Sequence, residues 1–247
     1  MKIAVDCADL DFSRIDGTRV YIQNVLNHLG RLAPKDEFLL FHRENFNPEL
    51  RPHNFPNYHE RKIPYPFFWT QTRLAFELLK ARPAVCWMPI QQLPLLVKGK
   101  IPTVFTAHDL AFKIYPEHFQ KKDLWKLNFF IDSAVGSADG IIAVSQSTKN
   151  DLLKFYPQLD SQKIRVIRHG FDREKFSQRS SKEKADLVLK KFNLSGQPFL
   201  LYLGAIQPRK NLPLLVEAFE KLKKKKPSDL KLVDRKSTRL NSSHGKL

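Results

Sequence analysis

The chain of 247 residues is long enough for one or two domains, and its 42% hydrophobic content is that of a globular chain rather than a disordered one. Its 42 basic and 25 acidic residues leave a net +17, but +10 of that lies in residues 181–247, so the excess alone does not point to a nucleic-acid partner. No run of about 18 apolar residues exists, which excludes a spanning helix, and two cysteines (Cys7 and Cys86) inside apolar stretches exclude a disulfide scaffold or a cysteine-based zinc site.

Lys2–Asp6 (KIAVD) is a short apolar run ending in a carboxylate, the pattern of a buried parallel strand. Asp6 interrupts the start of the chain before any signal-peptide apolar region forms, and a cytoplasmic protein is expected. A helical pattern opens at Gly17, with Val20, Val25, Leu26, Leu29 and Leu32 at 3.6-type spacing, and Pro34 stops it. Residues 37–41 (EFLLF) form a second predicted strand and residues 58–63 a weaker third. Residues 67–79 read as a helix with Phe68, Leu74, Leu78 and Leu79 on one face. Strands are predicted at 84–88 (AVCWM), 103–107 (TVFTA), 140–144 (GIIAV) and 164–167 (IRVI), with helices at 124–135 and 147–156 between them. Strands alternating with helices predict a doubly wound parallel sheet, with ligands at the carboxyl ends of its strands. The loops after Asp6, Ala107, Val144 and Ile167 are therefore singled out.

Residues 173–182 are polar and aperiodic, as in a linker, and a helix follows at 184–192. A second α/β domain begins near residue 195, with strands at 198–203 (PFLLYL) and 230–233 and a helix at 212–222. Two strands and a helix cannot make a covered parallel sheet, so a truncated domain is expected. Residues 234–247 (DRKSTRLNSSHGKL) lack periodicity and read as a non-native tail.

Several constellations invite chemistry. Gly17 lies between the first strand and the first helix, where a glycine lets backbone approach a ligand and a helix N-terminus offers N–H groups to an anion. A simple glycine turn is the plain alternative; Arg19 breaks the dinucleotide fingerprint, and no Walker loop occurs. His108-Asp109 follows the strand TVFTA, which puts an imidazole at a strand's carboxyl end. The histidines at 28, 42, 53, 59, 118 and 169 show no metal spacing. Ser145 and Ser147 read as helix caps. Gly204-Ala-Ile-Gln-Pro-Arg209-Lys210-Asn211 is the sharpest signal. A strand ends, a glycine clears space, and two cations stand at the mouth of a helix, where an intervening diphosphate would suit them. The lysines at 221 and 223–226 end a helix, and a solvated face is their default reading.

Taken in order, these segments resemble glycosyltransferase family four, of the GT-B fold. The matching residues are MKIAVD; Gly17 before a helix; Trp69-Thr-Gln71; TVFTAHD (103–109) with Pro116; ADGIIAVS (138–145) with Asp151; VIRHGFD (166–172) with Phe176; and LYLGAIQPRKNL (201–212). Together they span about residues 1–233. Arg19 stands where a second glycine is frequent, and Arg168-His169-Gly170 where Pro-Asn-Gly is.

The resemblance implies a GT-B-like α/β chain: a Rossmann-like, acceptor-side domain at 1–172, a linker and helix at 173–194, and the start of a nucleotide-sugar-binding Rossmann-like domain at 195–233. In the family two such domains face each other across a cleft. It further implies a retaining hexosyltransferase that needs no cofactor and no metal. The donor is a GDP- or UDP-linked sugar, mannose or glucose by default, and the acceptor a glycan or lipid-linked molecule. By motif match, His108, Arg209 and Lys210 carry catalysis, and Gly17, Gly204, Arg209 and Lys210 the donor. Peripheral contact with the anionic inner face of the membrane and no nucleic-acid partner are expected. Without the family's E-x7-E segment, which would follow residue 233, the chain is expected to be inactive. The rival reading is a basic, non-catalytic module for nucleic acid or an anionic surface.

Overall fold

The computed structural model describes residues 1–65, 67–174, 176, 181–204 and 206–235, apart from the side chains of Arg209 and Arg235. The chain divides into two compact units, Met1–His169 and Gly170–Leu247.

The first unit is built on seven parallel strands: β1 (Lys2–Asp6), β2 (Glu37–His42), β3 (Tyr58–Lys62), β4 (Val85–Met88), β5 (Thr103–Ala107), β6 (Gly140–Ala143) and β7 (Ile164–Val166). Their order is β3-β2-β1-β4-β5-β6-β7. The chain winds outward from β1 to β3 and then returns to the other side of β1 with β4, so its direction reverses between β1 and β4. Its helices are α1 (Gly17–Leu32), α2 (Ala75–Ala81), α3 (Ala111–Ile114), α4 (Lys121–Val135) and α5 (Gln146–Phe155).

Strand alternation sends side chains to both faces, and each face has its own core. Val5, Phe38, Leu40 and Trp87 pack with Ile22 and Leu26 of α1 on one side. Ala4, Leu39, Phe41, Met88 and Phe105 pack with Leu78 of α2, Ile131 of α4 and Leu152 of α5 on the other. Cys7 and Cys86 are free and buried. Burial pushes both thiols above their ordinary range, so they are inert core groups.

The expected helix at 67–79 is corrected. Helical backbone starts with a π turn, Thr70–Leu74, and runs into α2. Phe68 lies before it, 82% exposed, with a left-handed φ of 46°. Its carbonyl accepts from the N–H groups of Gln71 (2.9 Å) and Thr72 (3.0 Å) and from the Thr72 hydroxyl (3.0 Å). Those bonds hold a backbone conformation that is unusual for a bulky residue.

The second unit contains α6 (Lys182–Lys191), β8 (Phe199–Leu203), α7 (Leu212–Lys225) and β9 (Lys231–Arg235). β8 and β9 pair in parallel, from Phe199 opposite Lys231 to Leu203 opposite Arg235. Asp234 and Arg235, expected in the tail, therefore belong to a strand; residues 236–247 lie outside the described ones. Among the described residues of this unit Leu194 is the one buried hydrophobic side chain, while Leu200, Leu201, Leu203, Leu214 and Val216 are exposed. A two-stranded sheet has too little apolar surface to enclose a core.

Candidate active site

At the reversal point the sheet opens into a cavity of about 300 Å³. Such points are where doubly wound sheets hold ligands, because the loops on either side diverge there. Its wall is assembled from three strand ends and the segment that leads into α2. Asp6 closes β1, with Asp9 and Phe12 in the loop that follows. Arg43 follows β2, Pro89 and Gln92 follow β4, and Phe68, Trp69 and Thr70 lead into α2. The Trp69 indole is fixed by donating its N–H to the Ile63 carbonyl at 2.8 Å.

Asp6 is 6% exposed. One carboxylate oxygen accepts the Ala8 N–H at 3.0 Å, and the other meets no donor among the described residues. Burial, aided by the charges of Asp9 and Asp11 and opposed by the Ala8 N–H and Arg43, pushes its pKa from 3.8 up to about 7. Asp9 is also raised, by burial against the opposing pull of Arg19. The folded chain thus holds the Asp6 proton more tightly than the unfolded chain does. This contribution is complete below about pH 4 and is lost as pH rises towards 7, amounting to a few kcal/mol. Asp6→Asn is therefore expected to melt closest to the parent chain at pH 4 and to gain on it progressively up to pH 8. Parallel melting curves for the two chains across that range would remove Asp6 as the titrating group.

His108 stands at the carboxyl end of β5, as the sequence predicts. Its Nε2 lies 3.0 Å from the Pro89 carbonyl, which can only accept, so Nε2 carries the proton. Burial lowers its pKa, which favours neutral imidazole and leaves Nδ1 as an acceptor. Tyr21 of α1 meets the His108 ring edge-on at 5.2 Å and stacks on His169 at 4.6 Å. Trp87 also meets Tyr21 edge-on at 6.2 Å and donates to the Thr106 hydroxyl at 3.0 Å. The sequence marks His108 in this aromatic group, while Tyr21 and His169 come to it from α1 and the chain after β7. A His at a strand end and a helix one turn past a glycine are signals that could have joined them.

Gly17 is the first residue of α1, and a side-chain carbon there would meet nothing within 4 Å. Asp16 caps the helix by accepting the Arg19 N–H at 3.2 Å. The Arg19 guanidinium pairs with Asp16 and, at 3.3 Å, with Asp9. Arg19, standing where a second glycine is frequent, thus ties the helix start to the loop after β1. Ser145 is a cap, accepting the Thr148 N–H at 3.0 Å.

In the second unit Gly204 follows β8, and a side-chain carbon there would come within 3.0 Å of the Tyr202 hydroxyl. The space this glycine clears is thus partly taken by a tyrosine ring. Arg209 and Lys210 lie in a single 3-10 turn, Pro208–Lys210, whose last N–H bonds the Gln207 carbonyl at 2.9 Å. Lys210 is exposed, and the left-handed Asn211 (φ 48°) leads into α7. Lys221 pairs with Glu217 one turn earlier, at 2.6 Å.

The sequence profile described as Glycosyltransferase Family 4 matches residues 15–175. Alpha-maltose-1-phosphate synthase of Mycobacterium tuberculosis is 30% identical over 137 residues, 54% of this chain and 34% of that protein. O-antigen chain mannosyltransferase B of Escherichia coli is 26% identical over 119 residues, 48% of this chain and 30% of that protein. The chain thus spans about a third of the length of the curated relatives it matches. Among solved structures, WaaG, a glycosyltransferase involved in lipopolysaccharide biosynthesis, superposes with a TM-score of 0.62 at 13% identity, covering 94% of this chain and 62% of its own. The galactosyltransferase WaaB of the lipopolysaccharide outer core gives 0.54 at 14%, covering 95% and 60%. These likenesses show the GT-B fold. With the family profile matching well over half of its length, the chain belongs to glycosyltransferase family 4.

Proposed function

We propose that this chain serves a retaining hexosyltransferase. It moves mannose or glucose from a GDP- or UDP-linked donor to a glycan or lipid-linked acceptor, without a bound metal or other cofactor. The match of residues 15–175 with the family carries the reading. Departure of the diphosphate leaves an oxocarbenium-like sugar, and cations are worth most when the leaving group gains that charge. Arg209 and Lys210 take this part, and Gly17 and Gly204 let the donor's phosphates approach backbone. His108, neutral and with Nδ1 open as an acceptor, takes a hydroxyl of the transferred sugar. The run of lysines after Glu220 gives a weak peripheral attraction to an anionic membrane face.

Transfer from labelled GDP-mannose and UDP-glucose by the gene's full product tests the reading; turnover of neither donor would sink it. Within that assay His108→Ala is expected to cut kcat by at least about tenfold while leaving Tm nearly unchanged. A large drop in Tm with normal specific activity of the folded fraction would make His108 a structural residue instead.

A further inference from the structure

Thr106 and His108 stand two residues apart, on β5 and just beyond it, so their side chains leave the chain on the same side. That side is the one α1 covers, since Trp87 of the α1-side core donates to the Thr106 hydroxyl at 3.0 Å. Tyr21 reaches it from α1, and a hydrogen bond with Thr106 opposes the burial that raises the phenol's pKa. Three rings from separate parts of the first unit meet there. Tyr21 lies 5.2 Å from His108 and 4.6 Å from His169, and the two imidazoles are 5.8 Å apart, tilted by 65°. Neither partner ring is needed for packing. His169 is exposed and Tyr21 only half-buried, whereas Ile22 and Leu26 of α1 are buried in the core.

His108 is tied to the protein at two points. Its Nε2–H meets the Pro89 carbonyl at 3.0 Å, and its own carbonyl accepts the Thr148 hydroxyl at 3.3 Å. Nδ1 has no hydrogen bond among the described residues. It is also not one of their buried unpartnered atoms, which are His42 Nε2, Arg43 Nε and Arg73 Nε, so it is open to solvent. One bond through Nε2 fixes a distance but leaves the ring plane free to rock, and contacts with neighbouring rings remove that freedom. The charged groups facing His108 are Asp9 in the loop after β1, Asp16 before α1, Asp109 beside it, and His169. Arg19 pairs with both Asp9 and Asp16, which blunts their pull on the imidazole. Burial first, then a like charge on His169, oppose protonation of His108 against the Pro89 carbonyl, Asp109 and Asp16.

We propose that Tyr21 and His169 are positioning residues for His108: the phenol and the second imidazole hold its ring in one orientation, so that Nδ1 faces outward as the acceptor for a substrate hydroxyl. Only the owner of that hydroxyl, the transferred sugar, rests on the transferase reading; the ring geometry belongs to the first unit alone. Tyr21 limits the His108 ring directly. His169 restrains Tyr21 by stacking on it and, when charged, disfavours a second charge on His108.

The test is proton–nitrogen correlation NMR of the imidazoles in the 247-residue chain, which reads ring tautomer and titration, with His108→Gln identifying the His108 signals. The parent's neutral His108 is expected as the Nε2–H tautomer and to gain its second proton at lower pH than an ordinary histidine. Tyr21→Ala and His169→Ala should each mix the two tautomers and move the titration to higher pH. Tyr21→Phe and His169→Phe keep a ring in place and should retain the Nε2–H tautomer. Melting curves of each variant establish that it is folded. In the full gene product Tyr21→Ala should lower kcat about tenfold or more with little change in donor KM, and Tyr21→Phe should restore most of the loss. Folded alanine variants whose His108 keeps the parent's tautomer and titration, or a Tyr21→Ala enzyme with the parent's kcat, would each overturn the proposal. If the His108 signals change as expected while the full gene product turns over no nucleotide sugar, the transferase reading falls and the positioning of the ring stands. Turnover together with unmoved His108 signals would do the reverse.

Discussion

Lys210→Ala is expected to lower kcat of the full gene product by about 10²-fold or more, with a much smaller change in donor KM. The split follows from when the charge matters. In the bound donor the diphosphate already carries its charge and is partly solvated, so one ammonium among several contacts adds modestly to affinity. As the glycosidic bond breaks, negative charge gathers on the leaving oxygen, and a fixed cation beside it lowers the barrier directly. Lys210 suits such a part because it is anchored through its backbone in the 3-10 turn before α7 while its side chain is exposed. Lys210→Arg should recover part of the loss, since the charge remains while its shape changes. A KM effect alone, with kcat intact, would assign Lys210 to ground-state binding.

The second large effect concerns the two units of the 247-residue chain. In hydrogen exchange, amides of β1, β4 and β5 are expected to persist at least about 10³-fold longer than those of β8 and β9. The first group pairs on both sides within a seven-stranded sheet and carries fully buried side chains such as Ala4, Val5, Met88 and Phe105. The second is a two-stranded ladder with Leu200, Leu201 and Leu203 exposed, and opening it loses little buried apolar area. Limited proteolysis should accordingly cut after Gly170 first and leave a resistant piece ending near there. Equal protection in both strand groups would show that the second unit has a core after all.

The doubly wound sheet was legible because its signal is local. Short apolar strands alternate with amphipathic segments, and that rhythm is enough to fix parallel pairing and two covered faces. Ser145 was legible as a cap for the same reason, its hydroxyl needing only the Thr148 N–H three residues on. Phe68 was not, since apolar spacing cannot reveal that a carbonyl receives three hydrogen bonds and turns the ring outward. The cavity was hidden differently. Asp6, Arg43, Trp69 and Gln92 are far apart in sequence and meet because successive crossovers return to one end of the sheet. The usable clue was the carboxylate closing the first apolar strand, read together with the rule that such sheets bind ligands where their winding reverses. His108 was marked by the simpler rule that ligands sit at the carboxyl ends of strands. Tyr21 and His169 were missed because ring contacts across α1 and the chain after β7 leave no periodic trace.

Asp11 gives the region a mechanical character. Its carboxylate accepts the backbone N–H groups of Arg43 and Glu44, each at 2.8 Å, and faces His42 Nδ1 at 3.3 Å. The loop after β1 and the loop after β2 are thereby clasped together by one side chain. A guest entering between Asp6 and Arg43 meets walls that are already braced, so little chain freedom remains to be surrendered on binding. The same bracing limits accommodation: a guest that is slightly too large cannot spread the two loops without breaking a pair of charge-assisted hydrogen bonds. Loosening the clasp, as in Asp11→Ala, should therefore trade tightness for tolerance and broaden the range of guests admitted.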